Sequence, residues 1–159
     1  MNTLIVYASK YGCTKKCAEL LSKELQGKSD LVNLKSSDNI HISEYDRIII
    51  GGSIYAGRIQ KEVKEFCCEN LERLKEKQIG LFICCMQEGK EIETELVQNF
   101  DSELVKIAIA KDGFGGEFNL DKMNFLEKFI VKKISKVTTN KSNILTENIH
   151  HFAQAMNGI

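Results

Sequence analysis

The chain has 159 residues, 43% of them apolar, which suits one domain, residues 1–159, with a substantial buried core. Lysine plus arginine and aspartate plus glutamate stand at 22 each, so no overall field selects nucleic acid as a partner. No apolar run approaches membrane-spanning length, and a strand begins within three residues of the N-terminus, so neither a spanning segment nor a signal peptide is expected.

The first element sets the pattern. Leu4, Ile5, Val6, Tyr7 and Ala8 form an unbroken apolar run, which suits a strand buried on both faces of a parallel sheet. Ala18, Leu21 and Leu25 then repeat at helical spacing, with Lys15, Lys16, Glu19, Lys23 and Glu24 on the wet side. Between strand and helix lies S-x-x-G-x-T, from Ser9 through Gly12 to Thr14. A tight strand-to-helix turn aims free backbone N–H groups and the positive end of the helix dipole at one point, an anion pocket sized for one phosphate. The motif is short, and Ser9 or Thr14 as a plain helix cap is the competing reading. Neither a G-K-[ST] phosphate loop nor a G-x-G-x-x-G turn is present.

Asp30–Lys35 reads as a weaker strand near a sheet edge, and 36–44 as a polar loop. Tyr45–Ile50 is a buried strand that runs into G-G-S-I-Y-A-G. Ile59, Val63, Phe66, Cys67, Asn70 and Leu74 predict a helix through Lys77. Ile79–Cys85 is the fourth strand, followed by the loop Met86-Gln87-Glu88-Gly89. Residues 90–109 read as helical with a break near Asp101 and Ser102. Lys111–Phe118 is a poor strand by composition, but the alternation of elements requires one there. Met123–Val137 and Ile144–Met156 are expected helices.

Alternating strands and helices predict an α/β fold, a single-domain, doubly wound, five-stranded parallel sheet of order 2-1-3-4-5. In such sheets ligands bind beyond the carboxyl ends of the strands, where the winding reverses. Three special loops, 9–14, 52–57 and 85–89, follow three strand ends and converge there. The six cysteines lie mostly in apolar or periodic segments, where reduced cysteine acts as a small hydrophobe. With neither C-x-x-C nor a His-rich partner motif, no zinc or iron–sulfur centre is expected, and a reduced, cytoplasmic protein is. Cys13 sits at a helix N-terminus, where a thiolate is favoured. Proline is absent, so no proline-rich linker divides the chain.

With L-I-V-Y-A-S-K-Y-G-C-T at the first loop and I-I-I-G-G-S-I-Y-A-G at the second, the sequence resembles the flavodoxin family, which binds flavin mononucleotide (FMN), over essentially its whole length. Within that family the tail G-G-E-F-N-L-D-K-M-N-F-L-E-K-F-I-V-K-K-I is most similar to the branch containing menaquinone-dependent protoporphyrinogen IX dehydrogenase. The loop after the fourth strand is shorter than in the best-known dehydrogenases of that branch, and the chain lacks the acidity of shuttle flavodoxins. The resemblance implies that Ser9, Lys10, Tyr11, Gly12, Cys13 and Thr14 hold the FMN phosphate. It implies that Ser53, Ile54, Tyr55, Ala56 and Gly57 lie against the isoalloxazine ring, with Tyr55 stacking on it or bordering it. The Ala56–Gly57 peptide is the candidate to turn a carbonyl toward flavin N5, at low steric cost beside glycine. Cys85, Met86, Gln87 and Glu88 form the second ring-side loop, Gln87 facing the pyrimidine edge and Glu88 either lowering the potential or standing in solvent. His41, His150 and His151 form no catalytic constellation; the flavin carries the chemistry.

Three functions follow from the resemblance: an oxidoreductase passing electrons from a reduced organic substrate, such as a porphyrinogen, to a quinone; a carrier docking on protein partners; and an NAD(P)H-dependent quinone or flavin reductase, for which no dinucleotide fingerprint is present. On 122–137, Met123, Leu126, Ile130, Ile134 and Val137 share one helical face, and Lys122, Lys128, Lys132, Lys133 and Lys136 the other. Phe125 and Phe129 lie among those lysines. This is the pattern of a peripheral contact with the inner face of a membrane, or of rings covered by the following segment.

Overall fold

In the computed structural model, which describes residues 1–87, 89–118 and 141–159, a parallel sheet forms the frame. Its first half comprises β1 (Asn2–Tyr7), α1 (Cys13–Glu24), β2 (Lys28–Asn33), a short 3-10 turn (Ile42–Glu44), β3 (Arg47–Tyr55), β4 (Arg58–Ile59) and α2 (Lys61–Leu74). The second half adds β5 (Gln78–Cys84), α3 (Lys90–Asn99), α4 (Ser102–Ile107), β6 (Ala110–Gly113), β7 (Gly115–Phe118), β8 (Lys141–Ile144) and α5 (Thr146–Asn157). The order is β2-β1-β3-β5-β6, all parallel. With the two-residue β4 set aside, this is the expected 2-1-3-4-5.

Alternation along each strand divides the core in two. Leu4, Val6, Ile48, Ile50, Leu81 and Ile83 pack with α2, α3 and α4 through Val63, Phe66, Leu96 and Leu104. Ile5, Tyr7, Ile49 and Phe82 pack with α1 and α5 through Leu21, Ala18, Phe152 and Met156. Phe82 stacks on Phe114 with ring centroids 4.6 Å apart, and Phe152 meets both edge-on. Strand β2 is only half-buried, as an edge strand of weak composition should be.

Four expectations need correction. The segment 52–57 is not a free loop: β3 runs on to Tyr55 and folds back antiparallel onto β4, pairing Ile54 with Ile59 and Tyr55 with Arg58. Only Ala56 and Gly57 turn, with φ +50° and +76°, the sign a two-residue hairpin needs at both positions. The expected strand 111–118 is two strands. At Gly115, φ +80°, the chain leaves the parallel sheet, and β7 pairs antiparallel with β8 in a separate small sheet. The last helix consequently starts at Thr146, after β8, rather than at Ile144. The expected helix 90–109 does break at Asp101, whose carboxylate accepts from Glu103 N at 2.8 Å as the cap of α4, but α4 ends at Ile107. The expected helix over Met123–Val137 lies outside the described residues.

Candidate functional site

Ser9–Gly12 carries the chain from β1 into α1. Gly12 takes φ +96° at the helix start, a left-handed conformation that costs glycine nothing, and α1 has no side-chain cap there. Neither Ser9 nor Thr14 caps the helix. Ser9 Oγ accepts from Gly12 N at 3.0 Å and so fixes the turn. Thr14 is fully buried, and its hydroxyl meets Ser53 Oγ at 2.8 Å, which ties the first loop to the end of β3. The first N–H groups of α1 are therefore available to an anion, reinforced by the helix dipole.

Ser53 is held from the other side by Gln60. The Gln60 carbonyl oxygen accepts from Ser53 N at 2.9 Å, and its amide donates to Ser53 Oγ at 3.0 Å. Buried Asn99 holds the hairpin: its carbonyl oxygen accepts from Ile59 N at 2.9 Å and its amide donates to Gly57 O at 3.3 Å. The Gly57 carbonyl is thus anchored. Lys10 lies over the Tyr55 ring at 4.8 Å and the Tyr11 ring at 5.5 Å, so one ammonium joins the two loops.

These elements surround a cavity of about 360 Å³, within the range of roughly 300–1,000 Å³ typical of small-molecule sites. Of the residues singled out in the sequence, Lys10, Tyr11, Cys13, Ser53, Ile54, Tyr55, Cys85 and Met86 line it. Ser9, Gly12, Thr14, Ala56, Gly57 and Gln87 are not among the lining residues; Gln87 is exposed, and its carbonyl accepts from the Cys85 thiol at 3.8 Å. Glu88 lies outside the described residues. The lining also includes residues the sequence reading passed over. Lys35 comes from beyond β2, Arg58, Gln60, Lys61 and Glu62 from the hairpin and the start of α2, Cys84 from the end of β5, and Gly116 and Glu117 from β7. G-G-S-I-Y-A-G-R-I-Q holds the one signal that was available for the hairpin residues, a two-residue turn flanked by apolar positions.

Cys13 and Cys84 belong to a buried group with Cys17. Thiol hydrogen bonds from Cys17 and Cys84 hold Cys13 well below the ordinary thiol value, and those same bonds push Cys84 and Cys17 up.

The geometry fits FMN on two counts. An uncapped helix start stands at the first loop, where a phosphate would bind. On the ring side, the buried Tyr55 hydroxyl has no hydrogen-bond partner among the described residues, the mark of a polar group awaiting a ligand.

A family model described as Flavodoxin domain matches residues 4–144. Protoporphyrinogen IX dehydrogenase (quinone) of Escherichia coli strain K12 is 31% identical over 77 residues, 46% of this chain and 42% of that protein. The chain thus aligns with less than half the length of the curated relatives it matches. Among solved structures, flavodoxin 2 from Bacillus cereus superposes with a TM-score of 0.59 at 20% identity, covering 99% of both chains. A short-chain flavodoxin associated with a PDU bacterial microcompartment reaches 0.64 at 16% identity, covering 98% of this chain and 95% of the other. With the doubly wound sheet, the converging loops and a family match over most of its length, the chain belongs to the flavodoxin family, and FMN is its cofactor.

Proposed function

We propose that this FMN-binding redox protein is an oxidoreductase that takes electrons from a small, reduced, anionic organic substrate, a porphyrinogen, and passes them to a quinone. The carrying observation is the rim of the cavity. Lys35, Arg58 and Lys61 are exposed around it together with Lys10, while the acidic lining residues are Glu62 and Glu117. A cationic rim suits a substrate bearing carboxylates. The partial likeness to a protoporphyrinogen dehydrogenase supports the same class.

FMN, when bound, supplies the redox chemistry. The protein supplies the rest. The α1 turn binds the phosphate with backbone N–H groups, and Thr14 adds a hydroxyl. The Tyr55 ring borders the flavin, and the hairpin held by Asn99 fixes the distance between ring and rim. Lys122–Val137, at an anionic membrane surface, would bring the site to a lipid-soluble quinone. Among the described residues no helix is long and apolar enough to cross a membrane.

The short turn at 85–89, between β5 and α3, favours a second reading. A carrier docking on protein partners has no need of a long insertion there. Anaerobic turnover separates the two. The FMN-loaded protein is mixed with protoporphyrinogen IX and a soluble quinone, and porphyrin fluorescence is followed. Quinone-dependent growth of fluorescence above the protein-free rate is expected. No growth, with flavin reduction only by an added reductase protein, establishes the carrier instead.

A further inference from the structure

We propose that Cys13, Cys17 and Cys84 form a three-thiolate binding site for a soft, closed-shell metal ion, Zn(II) or Cu(I), beside the cofactor cavity. The three sulfur atoms all lie within 4.8 Å of one another, and all three residues are buried. Two of the ligands come from one helix face, since Cys13 opens α1 and Cys17 follows one turn later. The third comes from a rigid element, because Cys84 is the last residue of β5, an interior strand paired on both sides by β3 and β6. A tetrahedral site with metal–sulfur bonds of about 2.3 Å holds its sulfurs roughly 3.8 Å apart. The present spacing exceeds that by at most about 1 Å.

The chemistry of the donor set selects the ion. Three thiolates without histidine or carboxylate prefer soft ions over magnesium, calcium or manganese. Cu(I) is satisfied by three sulfurs. Zn(II) takes a fourth ligand, and the cluster offers room for one, because Cys13 and Cys84 also line the cavity. On binding, each S–H bond is replaced by a sulfur–metal bond and its proton leaves to solvent; a thiolate already present gives up none. No oxidant or reductant takes part.

Only Cys13 and Cys17, with three residues between them, mark this grouping in the sequence. Metal motifs are recognised by ligand pairs close in the chain, and here the third ligand arrives only when β5 is placed under α1. Cys67 and Cys85 lie in the other half of the core, and Cys68 is exposed, so the cluster is specific to three of the six cysteines.

The test uses the FMN-loaded protein with its thiols reduced, under anaerobic conditions, with Zn(II) and Cu(I) salts added separately. One equivalent of at least one ion per chain should survive desalting. Cys17→Ser and Cys84→Ser should each weaken its binding by at least ~100-fold, while Cys68→Ser changes it by less than about threefold. X-ray absorption on the loaded wild-type protein provides a reading independent of any variant's folding: three sulfur neighbours, at about 2.3 Å for zinc. The proposal is overturned if neither ion is retained, or if the metal shell contains only nitrogen and oxygen. It is equally overturned if Cys17→Ser binds as tightly as wild type, or if two of the three thiols pair as a disulfide in the presence of the ions and none is held.

Discussion

The two ends of the same parallel sheet handle buried polarity in opposite ways. At the amino ends of the strands, Arg47 is almost wholly buried, and its guanidinium is filled with acceptors. Nε donates to Thr3 Oγ1 at 2.8 Å, one terminal nitrogen to Met156 O at 2.8 Å and Asn157 Oδ1 at 3.3 Å, and the other to Gln26 O. Asn157 completes the knot by accepting from Gln26 N and donating to Glu24 O. At the carboxyl ends the pattern is reversed. The helix start is uncapped, the Tyr55 hydroxyl lacks a partner among the described residues, and Ala56 sits at positive φ. Completed hydrogen bonding marks the scaffold, and incomplete hydrogen bonding marks the place where a ligand belongs.

The comparison breaks most severely at Arg47. Arg47→Met retains bulk but strands the carbonyls of Gln26 and Met156 at about 1–3 kcal/mol each, so a loss of roughly 2–6 kcal/mol is expected in urea unfolding. FMN affinity in the fraction that remains folded should stay at the wild-type value; a parallel loss of affinity would show that the two ends are not independent.

Thr14→Val probes the opposite end. If its hydroxyl serves the phosphate, deletion costs roughly 1.5–3 kcal/mol, about ten- to hundredfold in the FMN dissociation constant. Riboflavin, which lacks the phosphate, should lose much less between wild type and variant when both are followed by flavin fluorescence. Equal losses would assign Thr14 to the Ser53 contact alone.

The smallest effects belong to the hairpin. Nothing lies within 4 Å of a Cβ built on Gly57, so Gly57→Val meets only the backbone cost of a side chain at φ +76°, about 1–2 kcal/mol. Ala56→Gly relieves the neighbouring residue, and its gain of at most about 1 kcal/mol is reduced by glycine's greater freedom in the unfolded chain. If the hairpin also sets the flavin environment, Gly57→Val shifts the one-electron potentials while oxidised FMN still binds. Unchanged potentials would confine the turn to a structural role.

Local chemistry made much of this legible in the sequence. Leu4–Ala8 and Tyr45–Ile50 read as buried strands because each is an apolar run or ends in one, and α1 and α2 read as helices because their buried residues recur at helical spacing. Gly12 between strand and helix marked the anion turn, since a left-handed helix start favours glycine. The remainder depended on residues far apart in the chain. Lys35, Glu117 and Cys84 reach the cavity only because β2, β7 and β5 end beside it, and Asn99 meets the hairpin from α3. Arg47 looked like an ordinary strand residue until α5 brought Met156 and Asn157 onto it. Sequence by itself therefore determined the core strands of the parallel sheet, the helices α1 and α2 and the glycine turn between β1 and α1, because hydrophobic period and backbone sign are properties of neighbouring residues. Tertiary structure alone decided the rim, the thiol cluster and the buried arginine, because each exists only where separate segments meet and a polar group must find its partner across space.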